Sequence, residues 1–168
     1  MPRKVDKAEA LARLEAERAS SAEPCLMCAV RSGQIAAGPE LFCQGGARAF
    51  LTRYPIRWGH VLVVPDVHVE RFCDLSTALW SQCNTLALRA ARVLERSFEP
   101  ARVYVASLGA AEPLLPTCPH LHLHVVPVAH SSERPSQVLT WENGVFEASN
   151  AEWNALQALL LRADDGAT

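Results

Sequence analysis

Alternation of apolar and polar residues is most regular in the segment CPHLHLHVV, residues 118–126. Three of the six histidines of the chain lie there at every second position: His120, His122 and His124. Side chains alternate between the two faces of a β-strand, so the imidazoles share one face and the leucines and valine share the other. The segment therefore predicts a strand with one core face and one chemical face. A half-buried strand with histidine on its polar side is the alternative.

Further strands are predicted from short apolar stretches bounded by glycine and proline. They cover residues 34–37, 41–44, 48–51, 60–65 and 103–107. Residues 138–148, VLTWENGVFEA, predict a hairpin that turns at Asn143 and Gly144.

The long helix is predicted over residues 76–97, where apolar residues recur at intervals of three and four. A charged helix over residues 6–19 begins with the capping pair Asp6 and Glu9, and a final helix begins near Ser149, with Glu152 three residues on. Antiparallel strands around one long helix predict an α+β domain with an antiparallel sheet of about five strands. We expect a helical arm over residues 1–24 and one domain over residues 25–168.

Composition narrows the function classes. The chain has 168 residues, a net charge of −2 and a pI near 6.3, which argues against sequence-independent binding to nucleic acid. It shows neither a signal peptide nor an apolar run of membrane-spanning length, so a cytoplasmic protein without a membrane partner is expected. In that compartment cysteines stay reduced, and paired cysteines are better candidates for metal binding than for disulfides.

Cys25 and Cys28 form a CxxC pair, which supplies half of a tetrahedral zinc site. The remaining ligands must come from distant sequence, and His68 and His120 are candidates. The alternatives are a pair of small buried hydrophobic residues and a redox dithiol.

The histidine segment allows two kinds of chemistry. Imidazoles two residues apart on a strand can share a metal ion. They can equally contact phosphate oxygens while one ring nitrogen attacks phosphorus, since a neutral imidazole is available near neutral pH.

HLHLHVV and the stretch AFLTRYPIRWGHVLVVPDVHVERFCDL, residues 49–75, resemble the histidine triad (HIT) superfamily, and CLMC resembles the N-terminus of its zinc-containing members. The resemblance runs from about residue 24 to residue 128. It implies a HIT-like fold, a homodimer and a nucleotide or nucleotide-conjugate substrate.

The resemblance also implies roles for individual residues. His122 is the expected nucleophile, which forms a covalent nucleotidyl intermediate, and His124 and His60 are expected near the phosphates. The implied metal set is Cys25, Cys28, His68 and His120. Four protein ligands close a zinc site, so the expected Zn²⁺ is structural.

Two positions depart from the family pattern. Pro116 occupies a slot that commonly holds glutamine, although Thr117 beside it keeps a hydroxyl, and Thr52 occupies a slot that commonly holds Asn or Asp in contact with the nucleotide. Thr52 and Thr117 are the predicted substrate-binding residues. The function expected is a nucleotide hydrolase or nucleotidyltransferase. A non-catalytic nucleotide-binding protein and a hydrolase that uses all three histidines as metal ligands are the alternatives.

Overall fold

The computed structural model describes residues 2–108 and 119–165. Its helices and strands follow the chain in this order: β1 Arg3–Val5, α1 Lys7–Ser20, α2 Leu26–Arg31, β2 Glu40–Gln44, β3 Ala47–Leu51, β4 Val61–Pro65, α3 Thr77–Phe98, β5 Arg102–Ala106, β6 Leu123–Val128, α4 Pro135–Val138, β7 Val145–Glu147 and α5 Asn150–Asp165.

Five strands form one antiparallel sheet in the order β2-β3-β4-β6-β5. This confirms the predicted α+β class, including the long helix and the C-terminal helix. Strand β6 begins at Leu123, so His120 and His122 lie in the segment that leads into it. The alternation nevertheless holds, because Leu121, Leu123 and Val125 are buried in the core.

The two faces of the sheet have different coverings. Helices α3 and α5 pack on one face, where apolar residues of strands β3, β4 and β6 join the main core. The opposite face carries Phe50, Leu62 and Val64, against which Met27 and Val30 of α2 pack. Leu62 lies opposite His124 in the register of β4 and β6, so both side chains share this second face.

The helix starts follow their sequence signals. Asp6 caps α1 by accepting a hydrogen bond from the Glu9 amide, at 2.8 Å. Ser149 and Glu152 form a reciprocal pair before α5: each backbone amide donates to the partner's side chain, at 2.9 and 3.3 Å. These local signals fix where the predicted helices begin.

The strand predicted over residues 34–37 is wrong. The residues before it form α2, and Gly33 turns the chain with a φ of 75°. The amides of Gln34 and Ile35 both donate to the carbonyl of Ala29, closing the helix end. Because these backbone amides are already hydrogen-bonded, they are not available for pairing with a neighbouring strand.

The hairpin predicted over residues 138–148 is also wrong. Gly144 does make the turn, with a φ of 74° and its amide donating to the Trp141 carbonyl. The first strand of the hairpin does not form, however, because α4 ends at Val138 and residues 139–142 adopt neither helix nor strand. Strand β7 pairs instead with β1 at the other end of the chain. Buried Ala10 of α1 joins the same apolar cluster as Val145, so the N-terminal segment packs against the rest of the chain.

Among the described residues, no helix combines the length and apolar character needed to span a membrane.

Candidate active site and metal cluster

The four predicted metal ligands meet at one point. Their ligand atoms all lie within 4.8 Å of one another: Cys25, Cys28, His68 and His120. Cys25 is the N-cap of α2 and Cys28 lies in its first turn, so the short helix turns both thiols to the same side. Because of this helix, a separation of three residues in the sequence is enough to bring both thiols to the same candidate metal site.

The sulfur-to-nitrogen distances match a zinc site. His120 Nδ1 lies 3.6 Å from Cys25 Sγ and 3.7 Å from Cys28 Sγ, and His68 Nδ1 lies 3.5 Å from Cys28 Sγ. Tetrahedral zinc with ordinary Zn–S and Zn–N bond lengths requires a separation of about 3.6 Å between these atoms. Two thiols and two imidazoles in this arrangement fit Zn²⁺.

Both histidine ligands are oriented by a second hydrogen bond. His120 Nε2 lies 3.0 Å from the carbonyl oxygen of Pro65, and His68 Nε2 lies 3.1 Å from a carboxylate oxygen of Glu70. Each contact places the proton on Nε2 and leaves Nδ1 to bind the metal. Burial and the neighbouring Cys25 raise the pKa of the Cys28 thiol to about 11, so metal binding would release its proton.

A cavity of about 310 Å³ lies on the second face of the sheet. Its wall is mostly apolar and includes residues of α1, α2, strands β3 and β4 and the segment after α4. The three predicted catalytic histidines reach it: His60, His122 and His124. An apolar wall with a few convergent polar groups is the usual character of a small-molecule site.

His122 is held by the backbone of its own segment. Its Nδ1 lies 2.8 Å from the carbonyl oxygen of His120, a contact that requires the proton on Nδ1. The lone pair of Nε2 is therefore free. Burial lowers the pKa of His122, which favours the neutral ring.

His60 and His124 form a pair beside it. His60 Nε2 lies 3.0 Å from His124 Nδ1, and the rings stack with centroids 5.1 Å apart. Burial, followed by the nearby His122, lowers the pKa of His124 to about 3. Burial, with His124 and His122 beside it, also lowers the pKa of His60 well below its ordinary value. All three cavity histidines are thus neutral near pH 7.

The predicted substrate-binding residues have different outcomes. Thr52 lines the cavity, and its amide donates to the carbonyl of His60 at 3.1 Å. Thr117, with Pro116, lies outside the described residues.

Sequence reasoning missed much of the wall, including Glu17, Met27, Val30, Phe50 and Leu62. Recognising α2 would have found Met27 and Val30, which are three residues apart on one helix face.

Two curated relatives are similar in sequence to this chain. Protein hit of Bacillus subtilis is 26% identical over 106 residues, which cover 63% of this chain and 72% of the relative. The asymmetrical bis(5'-nucleosyl)-tetraphosphatase of Schizosaccharomyces pombe is 31% identical over 79 residues, which cover 47% of this chain and 43% of the relative.

Among solved structures, a Zn-bound histidine triad family protein from Mycobacterium smegmatis superposes with a TM-score of 0.64 at 22% identity, over 84% of this chain and 94% of that one. A hypothetical histidine triad nucleotide-binding protein from Sulfolobus tokodaii gives a TM-score of 0.67 at 15% identity, over 84% of this chain and 93% of that one. The family model of the HIT domain matches residues 41–131, just over half of the chain. The chain belongs to the HIT domain family.

Proposed function

We propose that this protein is a nucleotide hydrolase or nucleotidyltransferase that cleaves a nucleoside phosphate conjugate through a covalent nucleotidyl-His122 intermediate. One observation carries the proposal: the hydrogen bond from His122 Nδ1 to the His120 carbonyl, which leaves an unprotonated Nε2 at the cavity. A neutral, oriented imidazole is a competent nucleophile toward phosphorus. Family membership and the likeness to a nucleosyl tetraphosphatase support the substrate class.

The proposed reaction has two displacements. His122 Nε2 attacks the α-phosphorus, an N–P bond forms, and the bond to the leaving group breaks with its electron pair going to that group. Water or another acceptor then attacks phosphorus, and the N–P bond breaks to return the free imidazole. Because imidazole is both a good nucleophile and a good leaving group, one difficult step becomes two easier ones.

The pair of His60 and His124 supplies hydrogen bonds to the phosphate. When His60 Nε2 donates to His124 Nδ1, the neutral ring of His124 carries its proton on Nε2. That N–H can donate to a phosphate oxygen as negative charge develops there. Removing one preorganised donor from an oxyanion hole costs about 2.7–4 kcal/mol of transition-state stabilisation, which sets the scale expected for this donor.

The cluster of Cys25, Cys28, His68 and His120 would hold Zn²⁺ in a structural role. Zinc bound there has four protein ligands, and its contribution is to tie α2 to the segment that carries His122. Chelation should therefore act on folding first. Homodimer formation and a cytoplasmic location stay predictions.

The alternative with three histidines around a catalytic metal fits the geometry less well. The ligand atom of His120 faces the cysteines, whereas Nδ1 of His122 binds a carbonyl and Nδ1 of His124 binds His60. In the described part of the chain, the cluster of potential ligands includes neither His122 nor His124. A binding protein without turnover is separated from the proposal by the experiment that follows.

The test is intact-protein mass after brief incubation with an adenosine phosphoramidate and a quench without acid. Wild type should gain the mass of one adenylyl group, and His122→Asn should gain none, since asparagine has no nucleophilic ring nitrogen. His130→Asn is the matched control, because His130 is an exposed histidine just beyond the end of β6 and does not line the cavity. Nucleotide binding without any adduct in wild type would contradict the proposal.

A further inference from the structure

Helix α2 contributes to the metal cluster and to the cavity at the same time. Cys25 at its N-cap and Cys28 in its first turn belong to the cluster. Met27 and Val30 of the same helix line the cavity and pack against the apolar residues on the second face of the sheet. A displacement of this six-residue helix would therefore move metal ligands and cavity wall together.

His120 connects the two sites a second time. Its ring belongs to the cluster, while its carbonyl oxygen lies 2.8 Å from His122 Nδ1 and accepts the hydrogen bond that orients that ring. A change in the backbone at His120 would thus reach the proposed nucleophile directly. The state of the cluster can act on the cavity through both α2 and the histidine segment.

The two thiols of the cluster are also placed to form a disulfide. The amide of Ala29 donates to the Cys25 carbonyl at 2.9 Å, so Cys25 and Cys28 lie within one helical turn. Cα atoms three residues apart on a helix are separated by about 5 Å, which is inside the range of about 4.4–6.8 Å found in disulfides. Their sulfur atoms already lie within 4.8 Å of each other.

Only this pair of thiols meets in the described part of the chain. The other described cysteines lie outside the cluster: Cys43, Cys73 and Cys83. Cys25 and Cys28 are buried, but the side chain of their neighbour His68 is 40% exposed, so one side of the cluster is open to a small solute. The metal site and the redox dithiol that the CxxC spacing allows can therefore be two states of one pair.

We propose that the cluster is a redox switch, in which a peroxide converts Cys25 and Cys28 to a disulfide, zinc leaves, and the cavity loses affinity for its nucleotide. One thiolate attacks a peroxide oxygen, the O–O bond breaks, and a sulfenic acid and hydroxide form. The second thiolate attacks that sulfur, the S–S bond forms, and the S–O bond breaks to release a second hydroxide. Two thiolates are oxidised and one peroxide is reduced, and both hydroxides take protons from solvent. The disulfide offers zinc no thiolate, so two of the four ligands are lost.

The part of this inference that concerns the nucleotide rests on the proposed function. The test treats the zinc-loaded full chain with hydrogen peroxide and follows zinc with a chromogenic chelator, the disulfide by peptide mapping, and affinity for AMP by calorimetry. We expect release of zinc, a disulfide between Cys25 and Cys28, and binding of AMP about 5- to 150-fold weaker, the usual range of coupling between two sites. A thiol reductant with added zinc should restore both zinc content and affinity, and circular dichroism should show a folded chain throughout.

Two variants separate the switch from other effects of peroxide. Met27→Leu keeps an apolar side chain in the cavity wall but has no sulfur that peroxide could convert to a sulfoxide, so it should respond as wild type does. Cys73→Ser removes an exposed thiol outside the cluster and should also release zinc as wild type does.

The outcomes distinguish this inference from the proposed function. Zinc that stays bound after peroxide treatment, a disulfide mapped to another pair of cysteines, or unchanged affinity for AMP once the disulfide has formed would each overturn the inference. Unfolding of the oxidised chain would also overturn it, because the switch acts on a folded protein. Failure of the reduced, zinc-loaded chain to bind AMP would instead contradict the proposed function, and the zinc and mapping measurements would still decide whether the disulfide forms.

Discussion

The metal cluster and the cavity use histidines that are two residues apart in opposite ways. His120 is 1% exposed and faces two cysteines and another histidine, whereas His122 faces open space on the cavity wall. In the cluster, the metal-ligand atoms of all four residues lie around a common point. In the cavity, the histidine side chains surround a space that a ligand could occupy.

Backbone carbonyls account for this difference. The Pro65 carbonyl accepts a hydrogen bond from Nε2–H of His120 and leaves Nδ1 for a metal, while the His120 carbonyl accepts a hydrogen bond from Nδ1–H of His122 and leaves Nε2 for a substrate. The two rings are therefore held in opposite tautomers. Histidine can therefore serve a metal site in one region and a substrate site in the other, because the backbone carbonyl binds a different ring nitrogen in each.

The largest expected effect separates chemistry from folding. His122→Asn should reduce turnover about 10⁴- to 10⁶-fold, as expected for loss of a nucleophile, while bound zinc stays at the wild-type level. Single-turnover kinetics and metal analysis by mass spectrometry check both parts. His120→Asn should do the reverse, lowering zinc content and thermal stability first. A loss of zinc in His122→Asn would show that the two regions are not separate.

The next effect concerns the cluster itself. Cys28→Ser should lower the free energy of unfolding by about 4 kcal/mol when free zinc is about 1,000-fold above the dissociation constant, because the bound ion stabilises only the folded chain. Urea titrations with and without a chelator measure this loss. The chelator should destabilise wild type and leave Cys28→Ser unchanged.

Cys43→Ser is the matched control for that experiment. Cys43 is exposed and is not one of the four clustered residues, so Cys43→Ser should keep the wild-type response to chelator. An equal loss of stability in both variants would mean that zinc is not the cause.

The sequence predicted the elements whose signals are local. Ser149 with Glu152 marks the start of α5, and alternation from Leu121 to Val125 distinguishes core residues from histidines. The ligand atoms of the four predicted metal ligands also lie together, as the resemblance implied. For the helix start and the alternating segment, residue type and spacing already contain the constraint, whereas the set of four ligands came from the family resemblance.

Elements that depend on a distant partner could not be predicted in this way. The residues Val145–Glu147 have the composition of a strand, but nothing in their neighbourhood shows that their partner is Arg3–Val5. Glu17 reaches the cavity for the same reason: α1 is positioned by packing with residues far along the chain. These features depend on pairing between residues that are far apart in the sequence. Neither the alternation of apolar and polar residues nor the spacing of motifs reveals such pairing.

A smaller effect is expected inside the cavity. His124→Ala should lower kcat about 10²- to 10³-fold, because it removes the ring N–H proposed to donate to the phosphate in the transition state. The adduct of His122 should still form, but more slowly, and rapid-quench kinetics would measure its rate. An unchanged rate of adduct formation would show that His124 does not act in the first displacement.

The smallest effect is expected at the edge of the cluster. Glu70→Gln replaces the carboxylate that accepts from His68 Nε2 with a neutral amide. Such outer contacts commonly change metal affinity about 10- to 100-fold, so zinc should bind more weakly by roughly that factor. Competition with a chromogenic chelator measures the change.

Glu95→Gln, at an exposed position of α3, controls for the loss of one negative charge. It should leave zinc affinity unchanged, since no ligand of the cluster lies on α3. Turnover by zinc-loaded Glu70→Gln should equal that of wild type, because His68 lies in the cluster and does not line the cavity. If turnover fell in the zinc-loaded variant, the cluster would be acting on the chemistry as well as on the fold, and the separation between the two regions would fail.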